Sequence, residues 1–223
     1  MSSLRSILFQ KSRAFNTRVH KIFMAQVFQV LEGFAKEQNK SYFADGSVSL
    51  VVDRDVRLLV DTGGPHTQNT LIEKLSSLLQ KGCEDITHVV CTHGHSDHIG
   101  NLNLFQNAVV YLGNDVLFPG KRYESHDFDE KSLVINENIE ILSTPGHTDH
   151  DISVLVKTFD KGIVCIAGDL FENENDSRNP EMWRQNSKYP EKQEISRQKI
   201  YRLADYIIPG HGKMFKIFKN EKT

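Results

Sequence analysis

Apolar and polar positions alternate along the chain in short runs separated by turn residues, with two longer segments at helical spacing. Val27 to Phe34, Ser47 to Val52 and Val56 to Val60 predict strands, and the polar Asp53-Arg54-Asp55 predicts a hairpin turn between the last two. After the breaker Asp61-Thr62-Gly63-Gly64-Pro65, Leu71, Leu75, Leu78 and Leu79 recur at helical spacing between Thr67 and Gln80, a stripe that belongs to a core. Ile86 to Cys91 predicts a buried strand, followed by a polar Gly-containing turn and an apolar-periodic segment through Ile99, Leu102 and Phe105. Further strands are predicted at Val109 to Leu112, Leu133 to Ile135, Ile139 to Leu142, Ile152 to Val156 and Ile163 to Ala167. A helix over Glu191 to Leu203 and a strand at Tyr206 to Ile208 close the series. Residues 113–131 and 171–190 read as long connections, the loops that shape a site. No repeat or low-complexity tract divides residues 26–223, so the pattern predicts a single α/β domain of two sheets covered by helices.

Residues 1–25 differ in kind, because Arg5, Lys11, Arg13, Arg18 and Lys21 all precede the first acid, Glu32. Such a start reads either as a solvated basic tail or as a mitochondrial presequence, which would direct the protein to the matrix. A net charge of −2 leaves no global footprint for a polyanion, so RNA would have to be attracted by a local feature. No DNA-binding module is seen. No stretch approaches 18 consecutive apolar residues, which excludes a membrane channel or transporter. The 3 Cys do not make a disulfide framework: Cys91 and Cys165 read as small hydrophobes within strands, and Cys83 as an exposed thiol at a helix end. What departs from the average is the count of 10 His.

Those histidines concentrate in Thr92-His93-Gly94-His95-Ser96-Asp97-His98-Ile99-Gly100, a string that shuffling at this composition produces with a chance of roughly one in a thousand. His93 and His95, two apart in an extended segment, project to one side, whereas Asp97 and His98 open the next helix and face a second point nearby. Neutral imidazoles with a carboxylate suit a hydrolytic zinc site. Further ligand types follow strand ends at Pro145-Gly146-His147, Ala167-Gly168-Asp169 and Pro209-Gly210-His211. Together they supply His93, His95 and His147 for one metal and Asp97, His98 and His211 for the other, with Asp169 able to bridge. Two Zn²⁺ per chain, with iron or manganese as alternatives, leave the site net positive and favour an anionic substrate attacked by a bridging hydroxide. Asp97 doubles as the catalytic group that holds the hydroxide's proton. Asp61 reads as an acceptor for a ligand imidazole or as a plain turn residue. His150, three residues after His147, is the first choice of general acid ahead of His66 and His126, each of which also reads as an exposed loop histidine. His88, in a strand, and His20 read as structural or solvated.

On the two long connections Lys121, Arg122, Arg178, Arg184 and Lys188 interleave with Tyr123, Trp183 and Tyr189, a set that tracks a phosphate backbone and stacks bases, although Glu172, Glu174, Asp176 and Glu181 oppose it. Trp183 reads equally as a residue of a dimer interface.

The ligand string resembles that of the metallo-β-lactamase superfamily, in which His-x-His-x-Asp-His is followed by a His, a bridging Asp and a final His. All seven are present here. The resemblance spans residues 26–218 and implies an αβ/βα four-layer sandwich with the metals at one sheet edge. Asp169 sets the chain on the glyoxalase II and ribonuclease Z side rather than with the antibiotic hydrolases. More narrowly, Val60 to Pro65, Thr92 to Phe105, Ala167 to Glu172 and Ala204 to Phe215 are similar to the metallo-β-lactamase domain-containing protein 1 family. That likeness implies a cytosolic and nuclear, homodimeric, two-zinc endoribonuclease acting at the 3′ end of histone pre-mRNA. Its rival is a glyoxalase II-type thioesterase acting on S-acylglutathione. Only residues 212–223 follow the last ligand, fewer than a helical glutathione-gripping domain needs, and no RNA-clamping insertion is evident either. A single-iron persulfide dioxygenase and a metal-binding sensor without turnover complete the alternatives.

Overall fold

Strands buried on both faces need apolar residues at consecutive positions, and the central runs Leu58-Leu59-Val60, Val89-Val90-Cys91 and Val164-Cys165-Ile166 meet that demand. The computed structural model describes residues 24–218; the basic stretch through residue 23, His20 included, lies outside them. The chain runs through β1 (Gln26–Leu31), β2 (Phe34–Gln38), β3 (Ser41–Asp45), β4 (Val48–Asp53), β5 (Val56–Val60), α1 (Gln68–Leu78) and β6 (His88–Cys91). It continues with α2 (Ser96–Ile99), β7 (Val109–Leu112), β8 (Asp115–Phe118), β9 (Arg122–Ser125), β10 (Leu133–Asn136), β11 (Ile139–Ser143) and β12 (Ile152–Thr158). Last come β13 (Gly162–Gly168), α3 (Glu181–Arg184), α4 (Pro190–Leu203), β14 (Tyr206–Pro209) and β15 (Phe215–Lys216). A seven-stranded sheet has the order β1-β4-β5-β6-β7-β8-β9 and a six-stranded sheet the order β10-β11-β12-β13-β14-β15.

Alternate residues of these strands serve different layers. Leu58, Val60, Val90, Val154, Val164 and Ile166 meet between the sheets, Leu59, Val89 and Cys91 pack outward with Leu71 and Leu75 of α1, and Cys165, Ala167 and Ile207 pack outward with Ile200 of α4. Each such fully buried aliphatic contributes about 1.5–3 kcal/mol of transfer free energy. The result is the αβ/βα four-layer sandwich that the sequence implied. Burial keeps the thiols of Cys91 and Cys165 protonated and pushes that of the half-buried Cys83 up as well.

The predicted strand over Val27 to Phe34 is in fact two strands broken at Gly33. A Cβ there would lie 2.3 Å from the Gly210 carbonyl oxygen and 2.5 Å from the Ser47 backbone nitrogen, so only glycine lets the chain pass this close. Beyond it β2 and β3 pair as an isolated antiparallel hairpin, Phe34 opposite Asp45 and Glu37 opposite Tyr42. The connection 113–131 contains a second unforeseen pair of strands, β8 and β9, which extend the larger sheet. The periodic segment Ile99 to Phe105 yields only the single turn of α2 before a 3₁₀ turn at Leu102–Leu104. Trp183 corrects both readings made of it. It is 1% exposed, with the Arg197 guanidinium 4.8 Å from its ring, so it neither stacks bases nor reaches a dimer interface.

Parallel pairing sets up the site. β5, β6 and β7 run parallel, as do β13 and β14, so the chain leaves β5, β6, β13 and β14 at one edge. The two sheets are stitched together there by Ile152 N donating to Thr92 O at 2.9 Å and by Ser47 N donating to Gly210 O at 2.7 Å.

Candidate metal centre

Five of the ten histidines, His93, His95, His98, His147 and His211, converge at this edge. His95 Nδ1 lies 2.9 Å from His93 Nε2 and 3.0 Å from His147 Nε2. Donor atoms of His93, His95, His147 and Asp169 all fall within 4.8 Å of one another, and those of Asp97, His98 and His211 form a second such group. Asp169 touches both. Its Oδ1 is 3.1 Å from His98 Nε2, and its Oδ2 is 3.2 Å from His211 Nε2, 3.4 Å from His147 Nε2 and 3.7 Å from His93 Nε2. Asp97 Oδ2 stands 3.8 Å from both His98 Nε2 and His211 Nε2. A close approach makes this possible, since a Cβ on Gly210 would come within 1.8 Å of Asp169 Oδ1.

The opposite nitrogens of the rings are tied down. Asp61 Oδ2 accepts from His98 Nδ1 at 2.8 Å, and the His211 Nδ1 proton goes to the Asp45 carbonyl at 3.1 Å. Thr92 Oγ1 donates to Asp61 Oδ2 at 2.8 Å and is therefore free to accept from His93 Nδ1 at 3.1 Å. Fixing the proton on Nδ1 leaves the Nε2 lone pair of all three rings pointing into the cluster. Asp61 thus accepts from the His98 imidazole and, through Thr92, steadies that of His93. It adopts a left-handed φ of 58°, a conformation that Asp tolerates better than most side chains.

Charge is concentrated at the centre. Burial first, then the charge of His98, holds His93 well below the ordinary imidazole range, and burial likewise lowers His147. At His98 burial acts downward too, but the charges of Asp169 and Asp61 outweigh it and raise the ring well above that range. His211 is pushed up to about 9 because its hydrogen bond to Asp169 overcomes burial. Burial alone would raise Asp169, yet His98 and His93 pull it well below the carboxylate range. A buried anion drawing protons onto neighbouring imidazoles is a site short of positive charge, and divalent cations displace such protons when they bind.

The donor set fits a pair of divalent ions. Among the described residues His98 Nε2 and Asp169 Oδ1 are buried and, though 3.1 Å apart, complete no hydrogen bond, an arrangement that is costly unless a cation completes it. Tetrahedral zinc with ligand distances of about 2.0–2.1 Å keeps imidazole nitrogens roughly 3.3 Å apart, close to the separations seen around His95.

A cavity of about 450 Å³ opens over the cluster, with His95, Asp97, His147, Asp169 and His211 in its wall. His150 does not line it; it lies with His93, His95 and Gly113 in an adjoining depression on the other side of His95. His66 and His126 do not line the cavity either, and the His126 Nε2 is 2.8 Å from the Lys131 carbonyl. His88 is half-buried against Tyr111. Lys121 and Tyr123 line a separate apolar groove with Leu102 and Phe105, Arg122 pairs with Glu124, and Lys188 pairs with Asp149.

Among the polar residues of the cavity wall, the sequence reading gave no site role to Tyr42, Glu172 or Asn186. Glu172 is 5% exposed, and burial first, then the charge of Asp169, raises its carboxyl to about 7. Its place three residues after Asp169 on the strand-ending turn was the one available signal. Asp151 was also passed over, although its carboxylate accepts from the backbone of Gly146 at 3.0 Å and of Thr148 at 2.7 Å and so shapes the turn carrying His147.

Comparison with known proteins agrees with this geometry. A family model described as the metallo-β-lactamase superfamily matches residues 42–211. The chain is 44% identical over 200 residues to metallo-β-lactamase domain-containing protein 1 of Xenopus laevis, covering 87% of this chain and 82% of the relative. The Homo sapiens protein of the same name is 38% identical over 193 residues, covering 84% and 70%. Among solved structures, a Thermotoga maritima protein of metallo-β-lactamase type superposes with a TM-score of 0.65 at 21% identity, covering 86% of this chain and 99% of that one. An N-acyl homoserine lactone hydrolase gives 0.59 at 14% identity, covering 85% and 92%.

Proposed function

The chain belongs to the metallo-β-lactamase superfamily and is a metal-dependent hydrolase, and from that premise we propose that it is a two-zinc endoribonuclease cleaving RNA phosphodiesters. The observation that carries the two-metal part is the Asp169 carboxylate, within 3.2 Å of His98 on one oxygen and of His211 on the other while also facing His147 and His93. His93, His95 and His147 would hold one ion and Asp97, His98 and His211 the other, with Asp169 reaching both. When bound, the pair supplies Lewis-acid polarisation of the scissile group and lowers the pKa of water toward about 7.

The remaining work falls to the chain. Asp97, whose side chain is 24% exposed to the cavity, accepts the proton of the attacking water and orients it. Asp61, Thr92 and the Asp45 carbonyl hold the Nδ1 protons in place, so the ligand rings do not reorient during turnover. His150 donates a proton only to a leaving group that passes His95 into the adjoining depression. The exposed cations Arg178 and Arg184 belong to the same 171–190 connection that supplies Glu172 and Asn186 to the cavity wall, which favours phosphates flanking the scissile bond. The resemblance adds a homodimer resident in the cytosol and nucleus.

S-acylglutathione carries two carboxylates, and among the described residues no Lys or Arg lines the cavity to receive them. That weighs against the thioesterase. The test is a side-by-side turnover assay of zinc-loaded protein on single-stranded RNA and S-lactoylglutathione. RNA cleavage that disappears in Asp97→Ala supports the proposal; thioester turnover alone transfers the site to the rival, and turnover of neither overturns both.

A further inference from the structure

One wall of the metal cavity carries polar groups that the two-metal chemistry does not use. Glu172 is 5% exposed and takes part in no ion pair with Lys or Arg among the described residues. Asn186 Nδ2 donates to its Oε1 at 3.0 Å, and the second oxygen has no donor among the described residues. A donor oxygen of Glu172 lies within 4.8 Å of those of Asp169 and His211, so it stands beside the place where the substrate reacts. Tyr42, on β3 of the exposed hairpin, lines the same cavity.

A buried carboxylate with no Lys or Arg partner among the described residues is destabilising unless something else completes it. Nothing in the local fold requires this one. The anchors of its segment are backbone bonds, Glu172 N to Asp176 Oδ2 at 2.7 Å and His211 N to Glu172 O at 2.8 Å, which any residue at this position would make. The side chain therefore presents an acceptor oxygen to the cavity, in a wall it shares with an amide and a phenol. Its chemical complement is a group that donates hydrogen bonds.

We propose that Glu172, Asn186 and Tyr42 form a subsite that binds a hydroxyl or ammonium group of the substrate lying a short spacer, about two carbons, from the scissile ester. This rests on the two-zinc reading above and adds the chemistry recognised beside it. A ribose hydroxyl next to a phosphodiester meets the description, as does an amino alcohol ester, whereas a second anionic group in this position is repelled.

The test is calorimetric binding to the zinc-loaded full chain of three phosphates that differ only in the substituent on the second carbon: ethyl phosphate, 2-hydroxyethyl phosphate and 2-aminoethyl phosphate. One or both donor-bearing compounds bind roughly tenfold or more tighter than ethyl phosphate, the value of a hydrogen bond to a charged group. Which of the two leads separates the hydroxyl from the ammonium source. In Glu172→Met the preference falls to about one, and in Asn186→Ala it falls severalfold. Should Glu172→Met fail to fold, Glu172→Gln keeps the shape and still removes the preference for 2-aminoethyl phosphate. Equal binding of all three by the wild type overturns the subsite and leaves the two-zinc reading standing. Loss of a zinc equivalent from the Glu172 variants makes Glu172 a metal ligand and overturns it in another way. Binding of none of the three overturns both.

Discussion

Asp61 Oδ2 accepts from His98 Nδ1 at 2.8 Å, and the same carboxylate receives the backbone N–H of Thr92 at 2.7 Å through its other oxygen. One buried acid at the end of β5 thereby orients the ring of His98 on α2 and, through Thr92, the ring of His93 on the loop before it. Asp61→Asn keeps the shape but replaces one acceptor oxygen with an N–H₂ donor. Zinc affinity, measured by chelator competition, is expected to fall about 10- to 100-fold with the far-ultraviolet circular dichroism unchanged. An unaltered affinity would mean that His98 needs no such partner.

Asp97→Ala separates chemistry from folding. The Asp97 side chain is partly open to the cavity, and its structural bond, Gly46 N to Asp97 O at 3.1 Å, is made by the backbone. Hydrolysis should be lost while the melting transition stays within a few degrees of the wild type. Full activity in this variant would sink the role given to Asp97.

Gly210→Ala tests the shared ligand from behind. Its new methyl carbon would meet Asp169 Oδ1 at 1.8 Å, so the carboxylate must move. Elemental analysis should then return about one zinc per chain or less instead of about two. Retention of the full complement would place the bridging position elsewhere.

His150 lies outside the main cavity but shares His95 with it. If it protonates the leaving group, His150→Ala will lower turnover by about 100-fold for alkoxide leaving groups and spare nitrophenolate ones, since the latter need no proton. Equal losses on both kinds of substrate would reassign it to binding.

Trp183→Ala is expected to cost about 3–5 kcal/mol in urea unfolding, the range for deleting a large buried aromatic. The ring is 1% exposed and packs with the Arg197 guanidinium, which in turn is bonded to buried Asp176 at 2.7 Å. A change smaller than 1 kcal/mol would show that this corner relaxes around the gap.

Why some of this was legible in the sequence and some not follows from where the information lies. The central strands of both sheets announce themselves because burial on two faces demands unbroken runs such as Val89-Val90-Cys91, and the candidate ligands because four of the seven fall within His93 to His98 on one strand-to-helix turn. The β2–β3 hairpin is exposed on both faces, so its residues Phe34 to Asp45 carry no period-two signal, and the break before it depends on the packing of Gly33 against Gly210, distant in sequence. Glu172 looked like one solvated acid among several because only the tertiary structure buries it. Trp183 misled for the same reason: an aromatic among charges reads as a surface anchor until Arg197 and Asp176 are seen to pair beneath it.

The central claim is a paired metal centre, and the most direct measurement is the metal content of the purified, zinc-equilibrated chain, wild type against Asp169→Asn. The account predicts about two zinc ions per chain in the wild type and a clear loss in the variant. A single iron per chain, indifferent to the loss of Asp169 charge, would contradict it.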